Sequence, residues 1–524
     1  MKKILFLLFT LNLSVACVEV LDKTPLDEIT EVTYWTSSSD LQLYLNNFYP
    51  QLRGTVNYHN ADNNSDNLQP ISPNTTLNGT RSIPATGGGW NWANIRKVNY
   101  FLENVDKVTE GNVSDLNQYK GEGYFFRAYF YFDKVKQFGD VPWYDRVLNI
   151  DSEELYAARE PRNVIVGHIL QDLDLAISLL NTKSQVSANR INKEAALLFK
   201  ARVALYEGTW EKYHEGTVFG VEGSNGQPYL QVAADAAETI IDESGLSLYS
   251  TGDPTQDYWN LFSQDDLSGV DEAIVIEAVD PEQGLGTWTW TYLNGTRGNG
   301  TGMTKSLVDS YLSADGLPIS VSGLYRGDST LSQVVENRDP RLRQSMWIPG
   351  LTQISSEPPV IFSTPPLEKG GSDMSTTGYM VRKGSTPDPE QNTGSSTDNY
   401  GKVDGMLFRY AEALLIFAEA KAELGTLTQA DLDKSVNLIR NRVGMPGLTM
   451  PVSFTDPDWD FPELDPVINE IRRERRVELA MEGFRFDDLM RWAAADLITG
   501  QRYKGARFIL GISFPRIENQ ISDI

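Results

Sequence analysis

Apolar positions follow a helical period through the first half of the chain and again near its end. Between about Leu246 and Lys402 that period is lost. The densest apolar stretch runs from Gly121 to Trp143. Within it Tyr124, Phe125, Phe126, Tyr129, Phe130, Tyr131 and Phe132 make seven aromatics in nine residues. A strand with one wet face would alternate apolar and polar residues, and this run does not. It predicts a helix of about four turns, ended by Gly139 and Pro142. Rings on nearly every side leave no face for water, so other helices must surround it. Core packing is favoured over a sugar platform, because no Asn/Asp-rich loop adjoins these rings.

Further helices are predicted in chain order. Ser37–Tyr49 opens with a cap at Ser39 or Asp40 and places Leu41, Tyr44, Leu45 and Phe48 on one side. Trp92–Val108, Pro161–Leu180, Asn192–Trp210 and Leu230–Ser244 follow, then Met406–Gly425, Ala430–Val443 and Ile468–Trp492, the last broken at Gly483. Alanines at the crossings and short connections suggest TPR-like helical hairpins in a mainly α fold. The middle of the chain reads as an irregular lobe with a few short strands, one at Ala273–Ala278. Trp288, Trp290 and Tyr292 recur there at period two and would share one strand face. The division expected is 1–16, 17–36 and one domain over 37–524, with a helical scaffold at 37–245 and 403–500 and the irregular lobe at about 246–402.

Composition narrows the chemistry. The 524 residues carry a formal charge of −25, which would repel a phosphate backbone and argues against nucleic-acid binding. One cysteine and three scattered histidines offer no disulfide framework, and neither an HExxH-like nor a GxxxxGK[ST] motif occurs. The start of the chain is more specific. Lys2 and Lys3 precede a short apolar run, Ile4–Leu13, and then Leu13-Ser14-Val15-Ala16-Cys17. This resembles a bacterial lipoprotein signal, which implies cleavage before Cys17, lipidation of that residue and a membrane anchor beneath a polar tether.

Several motifs share an order along the chain: Asn91-Trp92 with Ile95-Arg96 and Asn99, Gly123–Trp143, Tyr156–Arg162, Arg190–Tyr206, Leu307–Pro318, Asn337–Arg341, Arg409–Glu412, Ile439–Arg442 and Ile471–Trp492. In this order the chain resembles the SusD/RagB family, lipid-anchored glycan-binding proteins of Bacteroidetes outer membranes. The resemblance extends over nearly the full length. It implies TPR-like hairpins supporting an irregular lobe, and a partner, a SusC-like TonB-dependent transporter over which the lipoprotein sits as a lid.

Sugar binding needs flat rings for C–H faces and polar side chains for hydroxyls. The polar loop Pro50–Gly89 contains Asn60–Gln69 and ends at Trp90. From the resemblance, Asp66, Asn67 and Trp90 are carried over as sugar contacts, with Arg81 nearby and Trp92 assigned to the core. Trp288, Trp290 and Tyr292 form the second candidate, read equally well as a packed strand face. Arg382 and Tyr400 rank third. No catalytic residue is expected.

The Arg472–Glu482 segment suggests intrahelical ion pairs rather than an anion site. Asp265-Asp266 and Asp456–Asp460 leave a structural calcium open, without EF-hand spacing. The leading reading is a non-enzymatic binder of a neutral glucan (laminarin-like) or fructan. A surface glycoside hydrolase and a lid for non-glycan nutrients are the alternatives.

Overall fold

The aromatic stretch lies in a helix far longer than its rings require. In the computed structural model, which describes residues 34–52, 58–72, 74–287, 297–391 and 401–507, it spans Val113–Phe138. Its 26 residues exceed the four turns expected. The Asn112 side chain caps its start by accepting from the Asp115 N–H at 2.8 Å. Gly139 ends it with φ 68°. The added turns contain Gly121 and Gly123, where neighbours come close. A Cβ on Gly121 would meet Leu180 Cγ at 2.9 Å, and one on Gly123 would meet the Phe101 ring at 2.7 Å.

Around this helix pack Ser38–Leu45, Ala93–Asn104 and Arg162–Leu179. The last begins a run of paired helices, continuing through Lys193–Tyr213 and Gln227–Glu243 to Tyr410–Glu423 and Pro466–Glu478. Phe125 and Phe126 are fully buried. Phe126 meets Phe48 at 5.4 Å, and Phe125 meets Phe199 at 5.4 Å. A second core, built around Tyr258, Phe262, Met303 and Tyr379, underlies the irregular region. Among the described residues no helix is long and apolar enough to cross a membrane.

Three local expectations are corrected. The first helix is capped by Ser37, with Asp40 as the reciprocal carboxylate of a capping box. Met406–Arg409 is not helical. It belongs to a strand, Gly405–Arg409, antiparallel to Ala273–Glu277, and the helix starts at Tyr410. The strand delivers Arg409 to buried Glu272 at 2.9 Å and Glu478 at 2.8 Å. The Ala430–Val443 segment is two helices, Gln429–Asp433 and Val436–Arg442, interrupted at Ser435 (φ −136°, ψ −97°).

The charged segment departs most from expectation. Its helix, Pro466–Glu478, is buried, and Arg473–Glu470 is the only ion pair within it among the described residues. The other charges reach outward to different elements. Arg472 pairs with Glu423 (3.0 Å), Arg475 with Asp488 (2.9 Å), and Glu474 with Arg440 (2.8 Å). Glu478 collects Arg341, Arg409 and Arg442. The three guanidiniums overcome the cost of burial and hold its carboxyl well below the usual range. A buried charge needs a partner, and here the partners come from the elements that bury it.

Candidate functional site

The polar loop after Leu52 has two fates. Its first part folds inward: Asp62, Ser65, Asp66 and Asn67 are buried. The backbone from Gln69 to Ile71 pairs with Gly302 and Gly300. Asp66 accepts from Arg485 Nε at 2.7 Å and from Arg476 NH2 at 2.9 Å. Burial pushes its carboxyl up, but the two guanidiniums bring it down to about 2. Asn67 donates to Asp62 at 2.8 Å and accepts from Arg476 Nε at 2.9 Å. Asp62 in turn accepts the N–H of Met481 at 2.7 Å and of Gly483 at 3.0 Å. Asp66 and Asn67 therefore spend their polar atoms tying the loop to the C-terminal helices. That corrects their reading as sugar contacts, because both are buried with their polar atoms already paired.

The second part stays on the surface. Arg81 is exposed. The turn at Gly88 and Gly89 is held against the last turns of the aromatic helix: Lys134 donates to the Gly89 carbonyl at 2.8 Å, and Gln137 to that of Gly88 at 2.9 Å. The part of the loop that meets the helix is this glycine turn, not an Asn-rich stretch. Trp90 then meets Phe138 edge-to-face at 4.9 Å and Trp92 at 5.1 Å. It is still 38% exposed, enough to offer ring surface to a ligand. The Arg159 guanidinium lies 4.6 Å from the Trp90 ring centre. Sequence reasoning missed Arg159, although the Tyr156–Arg162 stretch that carries the resemblance contains it. Trp92 is half-buried against Tyr131 and Tyr144, as a core residue should be.

A groove of about 460 Å³ separates the surface loop from residues 498–503. Gln69, Asn74, Asn78 and Gln501 line it with amides, and Leu77 and Tyr503 supply apolar surface. The Tyr503 hydroxyl is buried with no hydrogen-bond partner among the described residues. Amides that donate and accept, beside one ring, suit a hydroxylated ligand.

Arg382 is not at a site. It is buried with its guanidinium 4.3 Å from the Trp259 ring centre, and NH1 donates to the Arg343 carbonyl at 3.2 Å. Burial lowers its pKa to about 9. Cys17, Trp288, Trp290, Tyr292 and Tyr400 lie outside the described residues. Among the described residues no three His, Cys, Asp or Glu side chains converge as a metal site. Asp456 is already held by Arg473 and Ser320.

The fold has known relatives. A family model described as "SusD family" matches residues 272–522, and one described as "Starch-binding associating with outer membrane" matches residues 26–205. The chain belongs to the SusD/RagB family. A SusD-like protein of Formosa agariphila, P38, is 25% identical over 517 residues, covering 94% of this chain and 92% of its own. A SusD-like crystal structure from Bacteroides fragilis superposes with a TM-score of 0.71 at 25% identity, over 93% of this chain and 92% of that one. A second from the same species, described as a SusD-like carbohydrate binding protein, gives 0.69 at 23% identity over 90% of each chain. Within the SusD/RagB scaffold, Trp90 is seated on Phe138 at the end of the aromatic helix, and the groove lies between residues 68–79 and 498–503.

Proposed function

We propose that this protein is a cell-surface glycan-binding lipoprotein that captures an oligosaccharide and delivers it to a SusC-like TonB-dependent transporter. The observation that carries the reading is Trp90: a ring pinned by Phe138 and Trp92, partly exposed, with a cationic donor at Arg159, in a SusD/RagB chain. Lipidation at Cys17 would anchor it to the outer membrane. The charge of −25 disfavours polyanionic glycans, so the ligand is a neutral glucan of the laminarin type or a fructan. Arg81 and the groove amides supply hydroxyl contacts in this reading. The Trp288, Trp290 and Tyr292 stretch remains a second platform in this reading.

Calorimetric titration with laminarin oligosaccharides, inulin oligosaccharides and alginate tests the ligand class. Binding of one neutral glycan, weakened about tenfold or more in Trp90→Ala, is expected. Unchanged affinity in that variant would remove Trp90 from the site, and preference for alginate would refute the neutral class. Co-purification with a TonB-dependent barrel from membranes tests the partner. Chromatography of the incubated glycans should show no shortened products.

A further inference from the structure

A separate cavity of about 290 Å³ opens between the charged helix and the Asp456–Phe461 loop, and it shares no lining residue with the groove or with Trp90. Its acids are Asp309, Asp456, Asp458 and Asp460. Its bases are Arg472, Arg473, Arg476 and Arg485. The formal charges cancel, in a chain that is otherwise strongly acidic. One indole, Trp459, stands in the wall, oriented by donation from Nε1 to Glu470 at 2.9 Å.

The polar atoms are not all used. Asp460 faces Arg485 at 3.4 Å and Arg476 at 3.5 Å, contacts too long to be tight pairs, and its side chain is 35% exposed. Arg472 is buried, yet its Nε and NH1 donate no hydrogen bond. Around Arg476, NH1 takes Ser310 Oγ at 2.9 Å and NH2 takes Ser306 Oγ at 3.0 Å, which fixes hydroxyls at the cavity edge.

The geometry points to a second binding site, for one ring of a neutral polyhydroxylated ligand, in this cavity. Each ligand hydroxyl both donates and accepts, so it can bridge a carboxylate and a guanidinium side by side. Trp459 provides the apolar wall for the ring's C–H face. An anion gains little, because every base has an acid beside it, and an apolar ligand would strand the charges. The inference rests on the glycan-binding reading but locates a different site, one that would hold a second unit or a second chain of the same glycan.

Hydrogen–deuterium exchange on the full chain tests it, with free glucose, fructose, their disaccharides and sodium sulfate as probes at millimolar concentration. A neutral sugar should protect 456–461, and Asp460→Asn and Trp459→Ala should each abolish that protection, with affinity weakened about tenfold or more. Asp460→Asn is nearly isosteric at a part-exposed position, so it guards against loss of folding in the tryptophan variant. Protection confined to 88–92 would overturn the second site and leave the Trp90 reading standing. Protection nowhere would overturn both. Protection of 456–461 by sulfate alone, or protection by sugar that persists in Asp460→Asn, would overturn the neutral-ligand assignment.

Discussion

Arg476 and Asp66 form a buried ion pair at 2.9 Å across 410 positions of the chain. Arg485 completes the contact at 2.7 Å, so one carboxylate near the N-terminus is shared by two guanidiniums near the C-terminus. Removing it would leave both buried and underpaired. Asp66→Ala should cost about 3–5 kcal/mol of stability. Urea denaturation checks this. A cost below about 1 kcal/mol would show that Asp66 is not the tie described here.

Acid titration should expose the same network. Asp66 and Glu419 are each held down to about 2, below the unfolded range of about 4. The folded pKa is depressed, so the stabilisation is fully present above about pH 4 and is lost as pH falls through about 2. Glu211 runs the other way. Burial raises it to about 7, so stability falls as pH rises from about 4.5 to 7. Buried His59, lowered to about 4, opposes Glu211 over most of that window, so the Glu211 contribution is read as a difference between proteins. The melting temperature of Glu211→Gln relative to wild type should rise as pH increases from about 4.5 to 7, and a difference independent of pH would count against the assignment.

The aromatic helix predicts a clean separation of folding from binding. Phe126 packs on Phe48, Tyr49 and Phe130, away from the surface loop. Phe126→Ala should cost about 3–5 kcal/mol while leaving the glycan affinity of the folded fraction close to wild type. Chemical denaturation and calorimetry on one preparation measure both. A large affinity loss at full folding would place this helix in the site.

What was legible in the sequence was local. The aromatic helix could be read because its rings and its Gly139 stop lie in one stretch. The strand Gly405–Arg409 could not, because Met406–Arg409 runs without a break into the helix-forming Tyr410–Glu423 and its pairing partner is Ala273–Glu277. The charged helix misled for a related reason. Alternating Arg and Glu look like a solvated face when the elements that bury them are remote in sequence. Composition also hid the split in the N-terminal loop: Asp66 and Asn67 resemble the half-buried Asn74 and the exposed Asn78, and Arg476 and Arg485 decide which are buried. Trp90 was legible as a partly exposed ring, whereas Arg159 beside it was not, since a lone arginine carries no signal of what it faces.

Gly89 offers a test of whether the placement of Trp90, rather than its mere presence, determines binding. Its φ is +86°, and a Cβ there would lie 2.2 Å from Gln137 Nε2. Gln137 is the residue that holds the neighbouring Gly88 carbonyl, so a methyl group would dislodge the clamp and strain the turn together. The turn is on the surface, and the global cost of Gly89→Ala should stay near 1–2 kcal/mol. Trp90 would lose its fixed edge-to-face contact with Phe138 and pay ordering entropy on binding, so glycan affinity should fall about tenfold. Gln137→Ala removes the clamp without the strain and should weaken binding in the same direction. Calorimetry on both variants decides the matter: wild-type affinity in Gly89→Ala would mean that the ring binds without being held.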